Sequence, residues 1–180
     1  MGDESPTRLE VLKIDSSLKT NMMIRNAQTN EAQEIHHILS EAFESYREYY
    51  TEEAYKATIL SPSEITIRIS DKEKEVFVVL YENEIVGTVT IRLKGEAQLH
   101  IQSMAVRPNR QRRGVGKYIL EEIICLGTKK QVKTLSLECF EPLKKVMTMY
   151  KKFGFRRTGK KRNLHGNEIF EMTKRLEPVP

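Results

Sequence analysis

The sequence Gln111-Arg112-Arg113-Gly114-Val115-Gly116-Lys117 is the most informative part of this chain. The apolar, β-rich run 99–106 precedes it, and 118–124 follows it with the apolar spacing of a helix. The first N–H groups of a helix have no partner inside the helix, and the helix dipole adds partial positive charge there. Glycine lets a bulky anion approach the backbone, and arginines supply further donors. The arrangement therefore predicts a phosphate-binding turn.

Two common phosphate-binding motifs do not fit this turn. A Walker loop needs about four residues between its glycines, followed by Lys-Ser or Lys-Thr, and a dinucleotide-binding turn needs roughly three spaced glycines. Here Val115 alone separates Gly114 from Gly116. The alternative to a phosphate site is an ordinary turn with solvated arginines.

The pattern Gln/Arg-x-x-Gly-x-Gly/Ala, after a strand that ends in Ala-Val-x-Pro, resembles motif A of the GNAT superfamily of acyl-CoA-dependent N-acyltransferases. Gln111, Gly114 and Gly116 match the pattern, and Arg107-Pro108 closes the strand. In that family, this loop binds the pyrophosphate of coenzyme A. The resemblance implies that acetyl-CoA is the cofactor and that its pyrophosphate meets Gln111, Arg112, Arg113, Gly114, Val115, Gly116 and Lys117.

A second motif, Met149-Tyr150-Lys151-Lys152-Phe153-Gly154-Phe155, resembles the Leu-Tyr-x-x-x-Gly-Phe signature of the same family. The resemblance implies that Tyr150 lies close to the sulfur of coenzyme A and protonates the departing thiolate. A phenol with a pKa near ~10 can donate to a thiolate of similar basicity. The alternative is a tyrosine packed at a helix end with a solvated hydroxyl.

The resemblance also implies a bulge in the fourth strand, which exposes a backbone N–H to the acyl carbonyl and pairs with the pantetheine arm. We expect this bulge around Met104, Ala105 and Val106. One departure concerns the same arm. Many members carry an asparagine at the position of Leu143, so here the backbone or another group such as Lys144 must hold the arm.

His100 is the candidate base, because it falls where histone-type members of the family carry their catalytic glutamate. Strand alternation places His100 and Gln102 on the face opposite Leu99 and Ile101, which suggests a polar cleft. A histidine with a pKa near ~6.5 suits proton transfer at neutral pH. The alternative is a histidine that bonds Gln102 or Glu96 and takes no part in catalysis. A glutamate or a water molecule would then act as the base.

The predicted acceptor side combines aromatic rings with carboxylates, which suits a cationic amine. Our candidates for contact with the acceptor are Tyr46, Tyr49 and Glu44, within a cluster that also holds Tyr50, Tyr55, Glu41, Glu48, Glu52 and Glu53. The alternative is a solvated acidic helix surface with some core tyrosines. The cluster favours a polyamine or lysine-like acceptor, but a small amine and a protein amine both stay open.

Length and composition indicate a globular protein. The chain has 180 residues, of which 39% are hydrophobic and 31% charged. We expect one domain over 21–177 and an N-terminal extension over 1–20, partly ordered or flexible. No apolar run reaches the roughly 20 residues that span a membrane, and no apolar leader is present, so we expect a cytoplasmic protein without membrane contact.

The order of the predicted elements agrees with the GNAT fold, an α/β (α+β) fold with a mixed central sheet of about six to seven strands and about four flanking helices. Residues 61–70 give conflicting signals. Ser61, Pro62 and Glu64 begin a helix, whereas Ile65, Ile67 and Ile69 alternate as in a strand. We favour the helix, because the family carries a helical pair here.

The function implied is transfer of an acetyl group from acetyl-CoA to an amine, by direct attack. One alternative is an acyl-CoA sensor that does not turn over. The other is nucleic-acid binding, suggested by the net charge of +5 and by a basic run over 151–162. Cys125 and Cys139 indicate neither a disulfide framework nor a metal site, and Cys139 reads as a buried strand residue rather than a nucleophile. A homodimer stays open.

Overall fold

The computed structural model describes residues 21–177 of the chain. The predicted N-terminal extension, residues 1–20, lies outside the described residues. Within them, the chain forms one seven-stranded sheet in the order β1-β2-β3-β4-β5-β7-β6. The strands are β1 (Met22–Asn26), β2 (Lys74–Tyr81), β3 (Glu84–Lys94), β4 (Gln98–Val106), β5 (Thr134–Phe140), β6 (Arg156–Leu164) and β7 (Asn167–Arg175). The predicted mixed sheet is confirmed, since β4 and β5 run parallel and the other neighbours antiparallel.

Five α-helices flank this sheet in the described part of the chain: α1 (Ala32–Glu44), α2 (Glu52–Thr58), α3 (Pro62–Ser70), α4 (Val115–Lys129) and α5 (Lys144–Lys152). Three of them, rather than a pair, lie between β1 and β2. The extra division arises because Ser61 and Pro62 begin a new helix immediately after α2 ends.

The conflict over 61–70 is settled in favour of the helix. Ser61 caps α3 by accepting a hydrogen bond from the Glu64 backbone N–H, and the Glu64 side chain accepts one from the Ser61 N–H in return. Ile65 is 1% exposed and Ile67 is 70% exposed. Residues two apart lie on the same face of a strand but on nearly opposite faces of a helix, so the burial pattern is helical.

The sheet is covered on both faces. On one face, Ile35 of α1 and Ile65 of α3 share a buried cluster with Val78 of β2. The opposite face carries α4, whose Ile119 lies in a cluster with Val89 of β3. Helix α5 contributes to this second cluster. No helix within residues 21–177 is both long and apolar enough to cross a membrane.

The two parallel strands in the centre of the sheet separate partway along their length. Ladder pairing of β4 with β5 runs from Gln98–Thr134 only as far as Ile101–Leu137. A bulge on the other side of β4 places Ser103 and Met104 opposite the single residue Val89, because Gln102 pairs with Thr90 and Ala105 with Thr88. Beyond Ile101, β4 is therefore paired along its β3 side but not along its β5 side.

Ile65 and Ile67 provide a direct test of this part of the fold. Ile65→Ala should lower the free energy of unfolding by about 2–5 kcal/mol, because it leaves a cavity in the core. Ile67→Ala is the matched control on the same helix and should change it by less than about 0.5 kcal/mol. Urea denaturation of both variants measures the two values. Similar losses would mean that 61–70 buries both side chains on one face, as a strand would.

Candidate active site

The glycine turn connects β4 to α4 in the way the sequence predicts. Gly114 is the N-cap residue of α4, with φ of +85°, a left-handed conformation that side-chain-bearing residues rarely adopt. Gln111 folds back on the strand, where its Nε2 donates to the Val106 carbonyl at 3.0 Å. Helix α4 is 15 residues long and has no acidic residue in its first turn. The backbone N–H groups of its first turn therefore form an environment that favours an anion.

Gly116 is required by packing rather than by its dihedral angles. A Cβ atom at this position would lie 3.3 Å from Met149 Sδ and 3.6 Å from Met104 Cε. The absence of a side chain thus brings the first turn of α4 close to both β4 and α5. These two elements carry the other predicted site residues, Met104 and Tyr150.

The arginines around the turn divide into two groups. Arg107 is bound to the carboxylates of Glu34 and Glu41 on α1 and donates through Nε to the Ile85 carbonyl. Arg110 bonds Glu84 at 2.8 Å. These two side chains attach the turn to the rest of the fold.

Arg112 and Arg113 form the second group. Both are exposed, and neither forms an ion pair with any residue of 21–177. The structure thus leaves these two guanidinium groups available to an anion at the N-terminus of α4.

The bulge in β4 lies one residue earlier than we expected, at Ser103–Met104 rather than around Met104–Val106. Ser103 has φ of +46°, which turns the chain and separates β4 from β5. Met104, Ala105 and Val106 follow the bulge, in the part of β4 without a ladder partner on the β5 side. Their backbone is accordingly placed to pair with an extended ligand, as an additional strand would.

Tyr150 lies inside α5 and is almost fully buried. Its hydroxyl is 3.9 Å from Met104 Sδ, so it reaches the residue at the bulge. Burial raises the pKa of Tyr150 well above its usual value, and the phenol stays protonated at neutral pH. Gly154, with φ of +87°, follows the C-cap residue Phe153 and ends the helix, in agreement with the motif. The Tyr150 hydroxyl therefore carries its proton near the bulge, but burial makes it a weaker acid than a free phenol.

His100 is 3% exposed, and its Nδ1 lies 2.8 Å from Ser136 Oγ on the neighbouring strand. Its partner is thus neither Gln102 nor Glu96. Burial, with a smaller contribution from the positive charge of Lys94, lowers the pKa of His100 to about 4. The imidazole is therefore neutral at physiological pH, able to accept a proton but only weakly basic.

The three predicted acceptor residues lie in different environments. Tyr46 is partly buried against the main core. Glu44 accepts a hydrogen bond of 3.2 Å from the Tyr55 hydroxyl, and Tyr49 is exposed. Tyr50 directly follows Tyr49, and the centroid of its ring lies 4.7 Å from that of Phe140 at the end of β5. The sequence analysis placed Tyr50 in the cluster but not among the three candidates, although it contacts the strand that separates from β4.

A polar contact joins the acceptor segment to the turn between β6 and β7. Thr51 donates from its backbone N–H to Asn167 Oδ1 at 2.9 Å and from Oγ1 to the His165 carbonyl at 2.5 Å. Asn167 Nδ2 donates to the Tyr49 carbonyl at 2.8 Å. The two segments are more than 110 residues apart in sequence, so only the tertiary fold reveals this connection.

Three further residues lie outside the predicted set. Leu143 is buried and offers no polar group to a ligand. Cys139 is buried in β5, and burial raises the pKa of its thiol to about 11, so no thiolate nucleophile forms at neutral pH. Glu138 bonds Arg162 through both carboxylate oxygens, at 2.7 and 2.8 Å.

Comparison with known proteins gives a consistent picture. Residues 32–155 match the model of the "Acetyltransferase (GNAT) family". Among solved structures, the chain is similar to the ribosomal-protein-S18-alanine N-acetyltransferase of Escherichia coli, with a TM-score of 0.71 and 18% identity over 88% of this chain and 96% of that one. It is also similar to the PaiA N-acetyltransferase of Thermoplasma acidophilum in complex with coenzyme A, with a TM-score of 0.70 and 18% identity over 86% and 98% of the two chains. An acetyltransferase of Elizabethkingia anophelis with acetyl-CoA bound gives a TM-score of 0.62 and 18% identity over 87% and 99%.

The environment of His100 generates a pH prediction. Its pKa is about 4 in the folded chain and 6.5 in the unfolded one, so the unfolded state binds the extra proton between these values. Stability therefore falls as the pH drops through this window, by about 3 kcal/mol from this group alone. Urea denaturation from pH 7.5 to 4.5 should show a shallower pH dependence for His100→Gln than for the unchanged protein.

His37 supplies the control, because it is an exposed histidine on α1. His37→Gln should keep the pH dependence of the unchanged protein. If His100→Gln behaved in the same way as this control, the depressed pKa of the buried imidazole would be contradicted.

Proposed function

Because the chain belongs to the GNAT acetyltransferase family, we propose that it transfers an acetyl group from acetyl-CoA to a primary amine, directly, in a complex that holds both substrates. The observation that carries the proposal is the parting of β4 and β5 between the anion-binding turn of α4 and the protonated hydroxyl of Tyr150. The similarity to solved structures with coenzyme A or acetyl-CoA bound gives further support.

The residues of the turn fit a pyrophosphate. The left-handed Gly114 and the close approach at Gly116 leave the backbone N–H groups of the first turn uncovered by side chains. Arg112 and Arg113 add two exposed guanidinium groups. We assign the pyrophosphate to Gln111–Lys117 and the pantetheine arm to the backbone of Met104–Val106.

The chemistry then divides among a few groups. When bound, acetyl-CoA supplies an acetyl group activated as a thioester. The backbone N–H groups of the bulge are candidates to stabilise negative charge on the acyl oxygen. Tyr150 holds a proton that can be given to the leaving thiolate. His100, neutral at physiological pH, is our candidate to take the proton of the amine, directly or through water.

Two rival functions receive less support. The basic strand β6 suggested nucleic-acid binding, yet Arg157, Lys160, Lys161 and Arg162 are each paired with a glutamate. A sensor would bind coenzyme A but release no thiol from acetyl-CoA with any amine or peptide acceptor. The acceptor is a small amine or a protein amine. The name of the Escherichia coli neighbour records an alanine of a ribosomal protein as its acceptor.

The proposed phosphate contact at the turn can be tested by removing two of its positive charges. Replacing Arg112 and Arg113 by glutamine should raise KM for acetyl-CoA about ten-fold or more and leave kcat nearly unchanged, because charge-assisted hydrogen bonds to phosphate hold the cofactor rather than the reacting atoms. The effect should shrink at high salt. Thiol release measured over a range of acetyl-CoA concentrations gives both constants.

The double substitution Lys129→Gln and Lys130→Gln is the matched control. It removes the same charge from the opposite end of α4, about 20 Å away along the helix. An equal rise in KM for this control would assign the effect to overall charge and contradict the proposed phosphate contact.

The role of Tyr150 can be tested separately. Tyr150→Phe should lower kcat about ten-fold or more, because the thiolate loses its proton donor. Stability and the affinity for coenzyme A should change little, since within residues 21–177 the hydroxyl makes only a weak hydrogen bond, the 3.9 Å approach to Met104 Sδ. The measurements are turnover by thiol release and coenzyme A binding by calorimetry. Unchanged turnover would exclude Tyr150 as the acid.

A further inference from the structure

Arg68 of α3 reaches the bulge of β4 from the face of the sheet opposite α4. Its Nη1 donates to Ser103 Oγ at 2.8 Å, and the side chain is half-buried. Ser103 is the residue with positive φ that separates β4 from β5. The guanidinium group therefore lies one residue from Met104, at the start of the unpaired backbone.

No carboxylate within residues 21–177 lies close enough to Arg68 to form an ion pair with it. Arg68 forms no ion pair there, and its one hydrogen bond goes to a neutral hydroxyl. The acidic residues whose charge acts on it are engaged elsewhere. Glu64 accepts from the Ser61 N–H and hydroxyl at 2.7 Å each, and Asp71 bonds Lys74 at 2.6 Å.

The lowered pKa of Arg68 reflects the cost of burying its charge. Burial outweighs the attraction of Glu64 and Asp71 and lowers the pKa of the guanidinium below its usual value. The group nevertheless stays charged, as arginine does in proteins. A half-buried guanidinium with most of its donors unused is a fitting partner for a carboxylate, which it can bind through two parallel hydrogen bonds.

Gln102 provides a second, independent observation. Its Oε1 is fully buried and has no hydrogen-bond partner among the described residues. Gln102 precedes Ser103 directly, and strand alternation places it on the same face as His100. A buried acceptor without a partner is costly, so a hydrogen-bond donor at this oxygen would be stabilising.

We infer that the acceptor is an amine that carries a carboxylate a few bonds from its nitrogen. Arg68 binds the carboxylate, and Gln102 Oε1 accepts a hydrogen bond from the amine beside the bulge. The inference rests on the proposed function, which requires the amine to reach this part of β4. A free amino acid and a peptide that begins with Asp or Glu both present this chemistry. A polyamine does not, and its second cation would be repelled by Arg68.

The experiment compares acceptors in which an amide replaces the carboxylate, and the change of their ratio in Arg68 variants isolates the contact from the altered basicity of the amine. Alanine is paired with alaninamide, and a peptide that begins with Glu is paired with the same peptide beginning with Gln. Within at least one pair, the carboxylate form should have about ten-fold higher kcat/KM, as expected when a guanidinium group donates two charge-assisted hydrogen bonds to the carboxylate. The pair that shows the ratio identifies the source as a free amino acid or a peptide.

Substitutions at Arg68 and Ser103 test whether the ratio of kcat/KM within a pair arises from the guanidinium group. Arg68→Met should bring the ratio close to one, and Arg68→Lys should give an intermediate value because it keeps the charge without the fork. Ser103→Ala removes the hydroxyl contact but not the charge and should keep most of the ratio. Arg175→Met is the matched control, an exposed arginine at the end of β7, and should keep all of it.

Equal kcat/KM within both pairs, or an unchanged ratio in Arg68→Met, would overturn the inference. Loss of the ratio in Ser103→Ala to the same extent as in Arg68→Met would also overturn it, since Arg68 would then act only by holding the bulge. Calorimetry of alanine and alaninamide, and of the two peptides, against the protein loaded with coenzyme A needs no turnover. If no acceptor released thiol, the proposed function would fail, and the preference in calorimetry would still decide whether Arg68 binds a carboxylate.

Discussion

The parting of β4 from β5 is the constraint on which the other features of the site depend. The two strands hold together over only four parallel pairs, ending at Ile101–Leu137, and the bulge at Ser103 then turns β4 away. Parallel strands need a crossover connection, and here α4 provides it. The N-terminus of α4 therefore lies at the same end of β4 at which the strands open. Helix α5 follows β5 and returns Tyr150 to Met104, so the Tyr150 hydroxyl and the glycine turn of α4 lie on either side of a single opening.

Ion pairs connect the elements around this opening, whereas other charged side chains of the described residues form no ion pair. Arg107 joins the end of β4 to two carboxylates of α1, and the basic residues of β6 are largely matched by glutamates. Other cations form no ion pair within residues 21–177, and three of them lie beside the proposed site: Arg112 and Arg113 at the turn and Arg68 at the bulge.

The segment predicted to contact the acceptor contains both paired and exposed carboxylates. Three of them have partners within the fold, Glu41 with Arg107, Glu52 with Arg47, and Glu44 with the Tyr55 hydroxyl, whereas Glu48 and Glu53 are exposed. The segment also contributes its backbone, which Thr51 and Tyr49 connect to the turn before β7. The polar chemistry lies on the strand itself, in the buried His100–Ser136 pair and the amide of Gln102. This distribution favours recognition of a compact polar amine over attraction of an extended cation.

The local signals of 61–70 conflict, and only the burial of Ile65 with the exposure of Ile67 settled the helix. The sequence by itself determined the order of the strands and helices along the chain, the turn that begins α4 and the glycine that ends α5. These features depend on local rules, namely apolar periodicity, capping and left-handed glycines, whose signals lie within a few residues of one another. Only the tertiary structure decided that His100 bonds Ser136, that Thr51 meets Asn167 and that Arg68 faces Ser103 without a carboxylate. Each of these contacts joins residues 35 to 116 positions apart, and no local pattern encodes which distant side chains become neighbours. Burial and pairing decide whether a polar residue is structural or free to bind, and both arise only when the sheet is assembled.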